Sequence, residues 1–206
     1  MLQASVSLSR YRIVEQPQPA GLADVPEKLR QYAFQDIDGT TDERSFGWVN
    51  FDDMLDSNWK VSPPEKGDFF AFALRLDTRR VQPAVLKKHV QMALNDELVK
   101  AKEQGRNFVG RDRKREIKEQ VALKLRARAL PIPAVFPVVW EPANNRIYFE
   151  STNAKSKSLF EDLFSDTFGL TLEPLTPFFM ALEELGEEAV SRLENLEITS
   201  FVEPGA

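Results

Sequence analysis

The chain has 206 residues, of which 42% are hydrophobic and 29% charged, as in an ordinary soluble globular protein. At about 100–200 residues per domain, this length fits one domain or two small ones. The chain has no cysteine and one histidine, His89, which excludes disulfides, cysteine nucleophiles and sites that need two imidazoles. No apolar run reaches the roughly 18 residues of a membrane span, and no secretory signal is recognisable, so we expect a cytoplasmic protein without membrane contact.

Charge is unevenly distributed along the chain. The net charge of −5 divides into −5 for residues 1–74, +9 for residues 75–128 and −9 for residues 129–206. A basic middle between two acidic flanks favours a surface that binds a polyanion. Basic helices can equally form a solvated face or contact acidic parts of their own chain, and charge alone leaves these alternatives open.

The first part of the chain predicts strands separated by irregular segments. Strands are predicted at residues 6–14, 46–49 and 69–76. A helix carries Pro26 in its first turn and runs to about Phe34. Irregular structure is predicted for residues 16–21, 36–44 and 52–66.

Two helices are predicted in the middle of the chain. Pro83 opens a long helix whose pattern fades by Gly105, with an apolar residue at every fourth position: Leu86, Val90, Leu94, Leu98 and Ala101. Asp112 is the expected cap of a second helix, which ends before Pro131 and buries Ile117, Val121 and Leu125. Phe108 lies in the connector 105–110, either as an exposed tip that contacts a partner or stacks on a base, or folded back onto the helices.

The last third predicts a hairpin followed by helices. Strands are expected at 135–140, 146–149 and 170–175, with a turn at 142–145 and with Pro137 marking an edge strand or a bulge. Ser151 or Thr152 is expected to cap a helix that buries Leu159, Phe160, Leu163 and Phe164 and ends at Gly169, and further helices begin at Pro177 and near Val190.

The interleaved helices and hairpins predict an α+β class, with mixed or antiparallel sheets plus a projecting basic two-helix arm. We expect a single domain over residues 1–206. Its sheet-containing body comprises residues 1–76 and 130–206, and the basic helical arm comprises residues 80–130.

The basic helical pair is the strongest functional pattern, with 11 bases and 4 acids between Lys100 and Arg128. We expect its cations to lie opposite the apolar side of the second helix and to bind DNA phosphates with salt-sensitive, sequence-independent affinity. The candidate DNA-binding residues are Lys87, Lys88, Lys102, Arg106, Arg111, Arg113, Lys114, Arg115, Lys118, Lys124, Arg126 and Arg128. The alternative from another class is a protein-interaction module whose arm grips an acidic partner.

Enzyme interpretations are weaker. Asp112 and the Glu116-Ile-Lys118 triplet are similar to the acidic pattern of metal-dependent nucleases, but they fall within one predicted helix among arginines that disfavour a cation. His89 is expected to be a partly exposed helix residue. Nucleotide-binding glycine loops are missing from the sequence. We therefore expect no enzyme, no catalytic residue, no metal and no cofactor, and keep a nuclease as the weakest alternative.

Several weak motifs in order resemble the RdgC family of recombination-associated proteins, which also carries an exonuclease label. They are Phe46-Gly-Trp-Val49, Leu74-Arg-Leu76, Val81-Gln-Pro-Ala-Val-Leu86, Arg113-Lys-Arg-Glu-Ile-Lys-Glu-Gln-Val121, Leu130-Pro131, the Trp140 hairpin, the helix 154–168 and Gly169-Leu-Thr-Leu-Glu-Pro-Leu175. The resemblance implies a ring-like or clamp-like homodimer, with Phe108 near a tip that contacts the second subunit. It also implies a nucleoid-associated protein that binds double- and single-stranded DNA and restrains the recombinase RecA.

Overall fold

The structure, a computed structural model, describes residues 6–15, 19–40 and 42–196, and its fold is α+β as predicted. Its strands are β1 (Ser9–Ile13), β2 (Arg44–Asn50), β3 (Glu65–Lys66), β4 (Phe69–Arg79), β5 (Pro131–Glu141), β6 (Arg146–Phe149) and β7 (Leu172–Pro174). Its helices are α1 (Pro19–Ala23), α2 (Val25–Gln31), α3 (Pro83–Glu103), α4 (Arg111–Arg126), α5 (Ala154–Phe168), α6 (Pro177–Leu185) and α7 (Val190–Glu194).

The strands form an antiparallel sheet whose hydrogen-bonded neighbours follow the order β2-β4-β5-β6-β1-β7, with β3 pairing with β4. The chain divides into two compact units. Unit 1 comprises residues 1–28, 64–71 and 137–206, and unit 2 comprises residues 29–63 and 72–136. The predicted arm, residues 80–130, falls within unit 2, and the division of the chain into body and arm stays a prediction.

The core of unit 1 lies between one face of its strands and α5. Alternate residues of β6, Ile147 and Phe149, are fully buried, as alternation along a half-covered strand requires. Phe149 stacks on Phe160 of α5 with ring centroids 4.3 Å apart. Trp140 of β5 meets the ring of Phe164 at 5.7 Å in an edge-on arrangement. The predicted apolar side of α5 is therefore confirmed as the core face.

The core of unit 2 is built around β2 and β4. Trp48 of β2 packs edge-on against Phe72 of β4, with ring centroids 5.1 Å apart, and both side chains are fully buried. Phe34 follows α2 and packs with Val49 and Ala73, which come directly after Trp48 and Phe72 and therefore lie on the opposite face of the two strands. These contacts fix β2 and β4 relative to each other, and α3 follows β4 in the chain.

Most predicted elements are confirmed, and the differences have local causes. Residues 19–21 begin helix α1 rather than a loop, and residues 16–18 lie outside the described residues. β5 begins at Pro131 and has β4 and β6 as neighbours, so the prediction of an edge strand at Pro137 is wrong. The cap of α5 is Asn153, whose Oδ1 accepts from Lys155 N at 3.0 Å, and not Ser151 or Thr152. Phe69, the first residue of β4, is 41% exposed.

In the described ranges, no helix is both long and apolar enough to cross a membrane.

Candidate nucleic-acid interface

The helices α3 and α4 pack against each other and form the predicted basic pair. Pro83 occupies the first turn of α3, where its missing N–H costs no hydrogen bond. Ala101 is the buried residue of α3 and Ile117 that of α4, and these two completely described helices are otherwise half-buried or exposed. The pair therefore offers most of its surface to solvent.

The connector 104–110 turns the chain between the two helices. Gly105 has φ of +75°, a left-handed conformation that suits glycine at a helix end. The amide of Arg106 donates to the carbonyl of Ala101 at 2.8 Å, which satisfies one of the last carbonyls of α3. α4 begins at Arg111 after Gly110, without a side-chain cap, so the prediction that Asp112 caps this helix is wrong.

Two lysines of α4 do not lie opposite its apolar stripe. Lys114 precedes Val121 by seven residues, and Lys118 precedes Leu125 by the same interval. Seven residues are close to two helical turns, so each lysine shares a side of the helix with an apolar residue. The prediction of two opposed faces is therefore wrong for Lys114 and Lys118, which are both exposed beside the stripe.

Three of the twelve candidate cations are held by carboxylates within unit 2. Arg113 donates to Glu97 of α3 at 2.8 Å and to Glu116 at 3.0 Å. Arg115 forms an ion pair with Glu119, one turn along α4, at 3.3 Å. The third pair joins the half-buried Arg126 near the end of α4 to Glu43 beside β2. These three residues organise the arm and have less positive charge to offer a ligand.

The other nine candidates are exposed, and none of them is ion-paired with a carboxylate in the described part of the chain. Arg106 donates to the side-chain oxygen of Gln104 within the connector. The remaining eight are called the open cations below. They are Lys87, Lys88, Lys102, Arg111, Lys114, Lys118, Lys124 and Arg128.

The ion pair between α3 and α4 shifts the pKa values of both of its residues. The pKa of Glu97 is lowered, first by the hydrogen bond from Arg113 and also by the positive charges of Lys100 and Arg106. The pKa of Arg113 is raised by its hydrogen bonds to Glu97 and Glu116. Both groups are therefore charged at neutral pH and neutralise each other locally.

Two arginines of the basic segment do not belong to the surface. Arg75 is buried in β4, where it donates to Asp77 at 2.9 and 2.8 Å and lies over the ring of Phe34. Arg79 is also buried, and its guanidinium donates to backbone carbonyls only. The charge of +9 for residues 75–128 thus overstates the charge that a ligand can meet.

Phe108 is 72% exposed in the connector. The alternative in which it folds back onto the helices is therefore wrong. An exposed aromatic side chain at a glycine-bounded turn can contact a partner or stack on a base. Its role as a dimer contact stays a prediction.

The acidic residues of α4 do not form a metal site by their arrangement. Asp112 and Glu116 are one turn apart on the same helix, and Glu116 is engaged by Arg113. In the described part of the chain, no three acidic or histidine side chains lie close enough together to hold a metal ion. His89 is half-buried on α3, which confirms the prediction of a partly exposed helix residue.

The structure adds cations that the sequence-based set did not contain. Lys100 is exposed on α3, and its charge acts on Glu97, so it belongs to the surface of the arm. Arg10 and Arg146 line a shallow cavity in unit 1. The sequence alternation places Arg10 with Arg12 on one side of its strand, and Arg146 with Tyr148 on one side of another, but it does not show that these two strands pair.

One protein family matches this chain. The family is described as "Putative exonuclease, RdgC", and it covers residues 7–183 of the 206-residue chain. The matched region includes α3, the connector and α4. This family is linked to recombination and to DNA binding in general. No curated protein sequence matches the chain.

Proposed function

The chain belongs to the RdgC family, and we propose that it is a sequence-nonspecific DNA-binding protein that holds the phosphate backbone with the open cations of its helical arm. The observation that carries this proposal is that these eight side chains are exposed and are not ion-paired with carboxylates of the described residues. Such cations release counterions from DNA when they bind phosphates, which makes affinity strongly salt-dependent.

The arm is suited to the backbone of DNA rather than to its bases. Lysines supply most of the open cations, and a lysine ammonium binds a phosphate as a point charge without a preferred base. Recognition of a base edge is typically made by paired donors and acceptors from Arg, Asn or Gln in a groove. We therefore expect random-sequence duplexes of equal length to bind with equal affinity, and single strands to bind as well.

The proposed assembly is a homodimer, ring-like or clamp-like, with Phe108 at a contact between subunits. A DNA-bound protein of this kind would be found with the nucleoid in the cytoplasm. Coating the duplex would restrict access of RecA, which is how we propose that the protein modulates recombination. Restriction of RecA-dependent strand exchange should then require the same arm cations as DNA binding.

We propose binding without strand cleavage. Glu116, the carboxylate best placed to accompany Asp112, is held by Arg113 at 3.0 Å. Neighbouring positive charge opposes the binding of a divalent cation at this position. Incubation of labelled duplex with Mg²⁺ should leave its length unchanged, and cleavage that disappears in Asp112→Asn would contradict this part of the proposal.

The experiment is a mobility-shift titration of a random-sequence duplex at several salt concentrations. The variant Lys114→Glu/Lys118→Glu/Lys124→Glu should lose most of the affinity, and its salt slope should fall by about 0.9 for each phosphate that is no longer bound. The matched control Lys60→Glu/Lys155→Glu/Arg192→Glu changes the net charge equally, at exposed positions outside the arm. Equal affinity of the two variants would overturn the assignment to the arm.

A further inference from the structure

The strands of unit 1 carry a row of charged side chains on the face that does not meet α5. Arg12 of β1 lies opposite Arg146 of β6 and opposite Glu173 of β7. Glu141 of β5 lies opposite Arg146 on its other side. Arg12 donates from Nε to Glu173 Oε2 at 3.1 Å. With two positive and two negative groups, this row is neutral as a whole.

The next row on the same face adds one positive charge. Arg10 is two residues before Arg12, so both side chains point to one side of the sheet, and Arg10 lies opposite Tyr148. The Nη2 of Arg10 donates to Met180 Sδ at 3.6 Å, and a thioether is a weak acceptor. Within the described ranges, no carboxylate is ion-paired with Arg10. Arg10 is therefore a cation of this face whose charge is not balanced by an ion pair among the described residues.

A cavity of about 210 Å³ lies at this face, lined by Arg10, Arg146, Tyr148, Leu175 and Met180. A water molecule takes about 30 Å³ of liquid, so the cavity has room for a tetrahedral phosphate group. A guanidinium binds phosphate oxygens through two parallel N–H groups. Arg146 has other contacts within the chain, but a guanidinium has five N–H donors and can share them.

Tyr148 lines the cavity without adding a negative charge. Its hydroxyl donates to Glu141 Oε2 at 3.2 Å, and Glu141 also accepts from Asn144 Nδ2 at 2.6 Å. Burial raises the pKa of Tyr148, the charge of Glu141 raises it further, and the charges of Arg146 and Arg10 act in the opposite direction. The phenol therefore stays neutral at physiological pH and does not repel an anion.

We propose that Arg10 and Arg146 bind one phosphate group at this cavity, and that this group is a phosphodiester of DNA. A diester carries a single negative charge, which the unpaired charge of Arg10 can balance. The choice of DNA as the ligand rests on the proposed function. The site would add one phosphate contact in unit 1 to those made by the open cations.

The phosphate chemistry is tested first without DNA. Potassium phosphate is titrated into the protein against potassium chloride at equal ionic strength, and NMR follows the Arg10 Nε–H signal and the amides of β1 and β6. Phosphate should shift these signals saturably, and Arg10→Gln should abolish the shift. Lys155→Gln is the matched control, because Lys155 is an exposed cation of unit 1 that lies on α5.

The DNA source is tested by the salt dependence of duplex binding. Arg10→Gln should weaken binding about three- to tenfold at moderate salt and lower the salt slope by about 0.9, the value for one bound phosphate. Lys155→Gln should leave the slope unchanged. Circular dichroism melting of both variants should match the unchanged protein, since Arg10 is exposed and its hydrogen bond to sulfur is weak.

The outcomes separate this proposal from the proposed function. If phosphate shifts no signal beyond what chloride does, the site does not exist, whatever the arm variants show. If phosphate binds but Arg10→Gln leaves the salt dependence of DNA binding unchanged, the phosphate bound at this site does not come from DNA. The ligand is then a small phosphate-bearing molecule. Failure of the arm variants to weaken DNA binding would overturn the proposed function while leaving the phosphate titration interpretable.

Discussion

Arg113 of α4 joins Glu97 of α3 through two hydrogen bonds, from Nε at 2.8 Å and from Nη2 at 3.3 Å. The same guanidinium donates to Glu116 at 3.0 Å. A fork of parallel N–H groups fixes both distance and orientation between the helices, which a single lysine could not do. The most basic stretch of the sequence thus contains an arginine whose role is to hold the arm together.

This ion pair predicts the acid titration of Glu97. Its pKa is lowered in the folded chain from an ordinary 4.5. The hydrogen bond to Arg113 therefore stabilises the arm above pH 4.5, and this contribution is lost as the pH falls through the lower folded-state value. NMR of the Glu97 side-chain carbon should give a midpoint below 4.5, and Arg113→Gln should return it towards 4.5. An unchanged midpoint in this variant would contradict the role of the pair.

The same relationship predicts a contrast between two adjacent cations in DNA binding. Lys114→Gln should weaken duplex binding about threefold and lower the salt slope by about 0.9, because Lys114 is an open cation. Arg113→Gln should have a smaller effect, since Glu97 and Glu116 already neutralise its charge. Mobility shifts at several salt concentrations measure both slopes. A larger loss for Arg113→Gln, in a variant whose helix content is unchanged, would argue against the open cations as the interface.

Phe108 predicts the effect of the connector on assembly. Phe108→Ala should raise the dimer dissociation constant at least tenfold, because aromatic residues at interface hot spots contribute about 2 kcal/mol or more. Its thermal melting as a monomer should be unchanged, since the side chain is 72% exposed. Sedimentation equilibrium measures the dimer constant, with Leu123→Ala, 61% exposed on α4, as the matched control. Equal dimer dissociation constants for the two variants would contradict the placement of Phe108 at the dimer contact.

The limits of α3 were predictable because Pro83 and Gly105 mark them in the sequence. The ion pair of Arg115 with Glu119 also follows from their spacing of one helical turn. The pair of Arg126 with Glu43 does not, because 83 residues separate the two and only the folded chain brings them together. Sequence reasoning therefore found the basic arm but could not distinguish its open cations from its paired ones.

The cavity at Arg10 was unpredictable for a related reason. Arg10 and Arg146 are far apart in the sequence, and only the pairing of β1 with β6 places them on one face. Register is set by pairing across more than a hundred residues, which local patterns do not encode. Gly47 and Trp48, the Gly-Trp element of β2, show the same limit. The need for glycine at position 47 comes from a neighbouring backbone segment and not from the sequence around it.

Gly47 of β2 is required by the close approach of the segment after α2. A Cβ atom at this position would lie 2.5 Å from both the Cα and the N of Phe34. The amide of Phe34 donates to the carbonyl of Trp48 at 2.9 Å, so the two backbones cannot separate without breaking this bond. Gly47→Ala should therefore lower the free energy of unfolding by about 3 kcal/mol or more.

Urea denaturation measures this difference. Gly39→Ala is the matched control, because a Cβ there meets nothing within 4 Å, and we expect a change between zero and a gain of about 0.5 kcal/mol. A Gly47→Ala protein as stable as Gly39→Ala would show that the segment moves aside. The Gly-Trp element would then need another explanation.

Arg79 secures the segment before β2 and the end of the arm. Its Nε donates to the carbonyl of Asp42 at 3.0 Å, and its Nη2 donates to those of Ile37 and Thr40 at 2.6 and 3.0 Å. Its Nη1 donates to the carbonyl of Ala129, just after α4. One buried guanidinium therefore satisfies carbonyls of two segments that are far apart in the chain.

Arg79→Met should keep the aliphatic volume but leave these carbonyls without donors, at a cost of about 3 kcal/mol in the free energy of unfolding. The free energy of unfolding of Arg79→Lys should lie between those of the unchanged protein and Arg79→Met, because an ammonium has three donors and cannot span both segments. The adjacent Arg80→Met is the matched control, since Arg80 is exposed, and should change stability by less than about 0.5 kcal/mol. Urea denaturation of the three variants gives the comparison. If Arg79→Met were no less stable than Arg80→Met, water would have replaced the guanidinium as the hydrogen-bond donor to these carbonyls. Arg79 would then not anchor the arm.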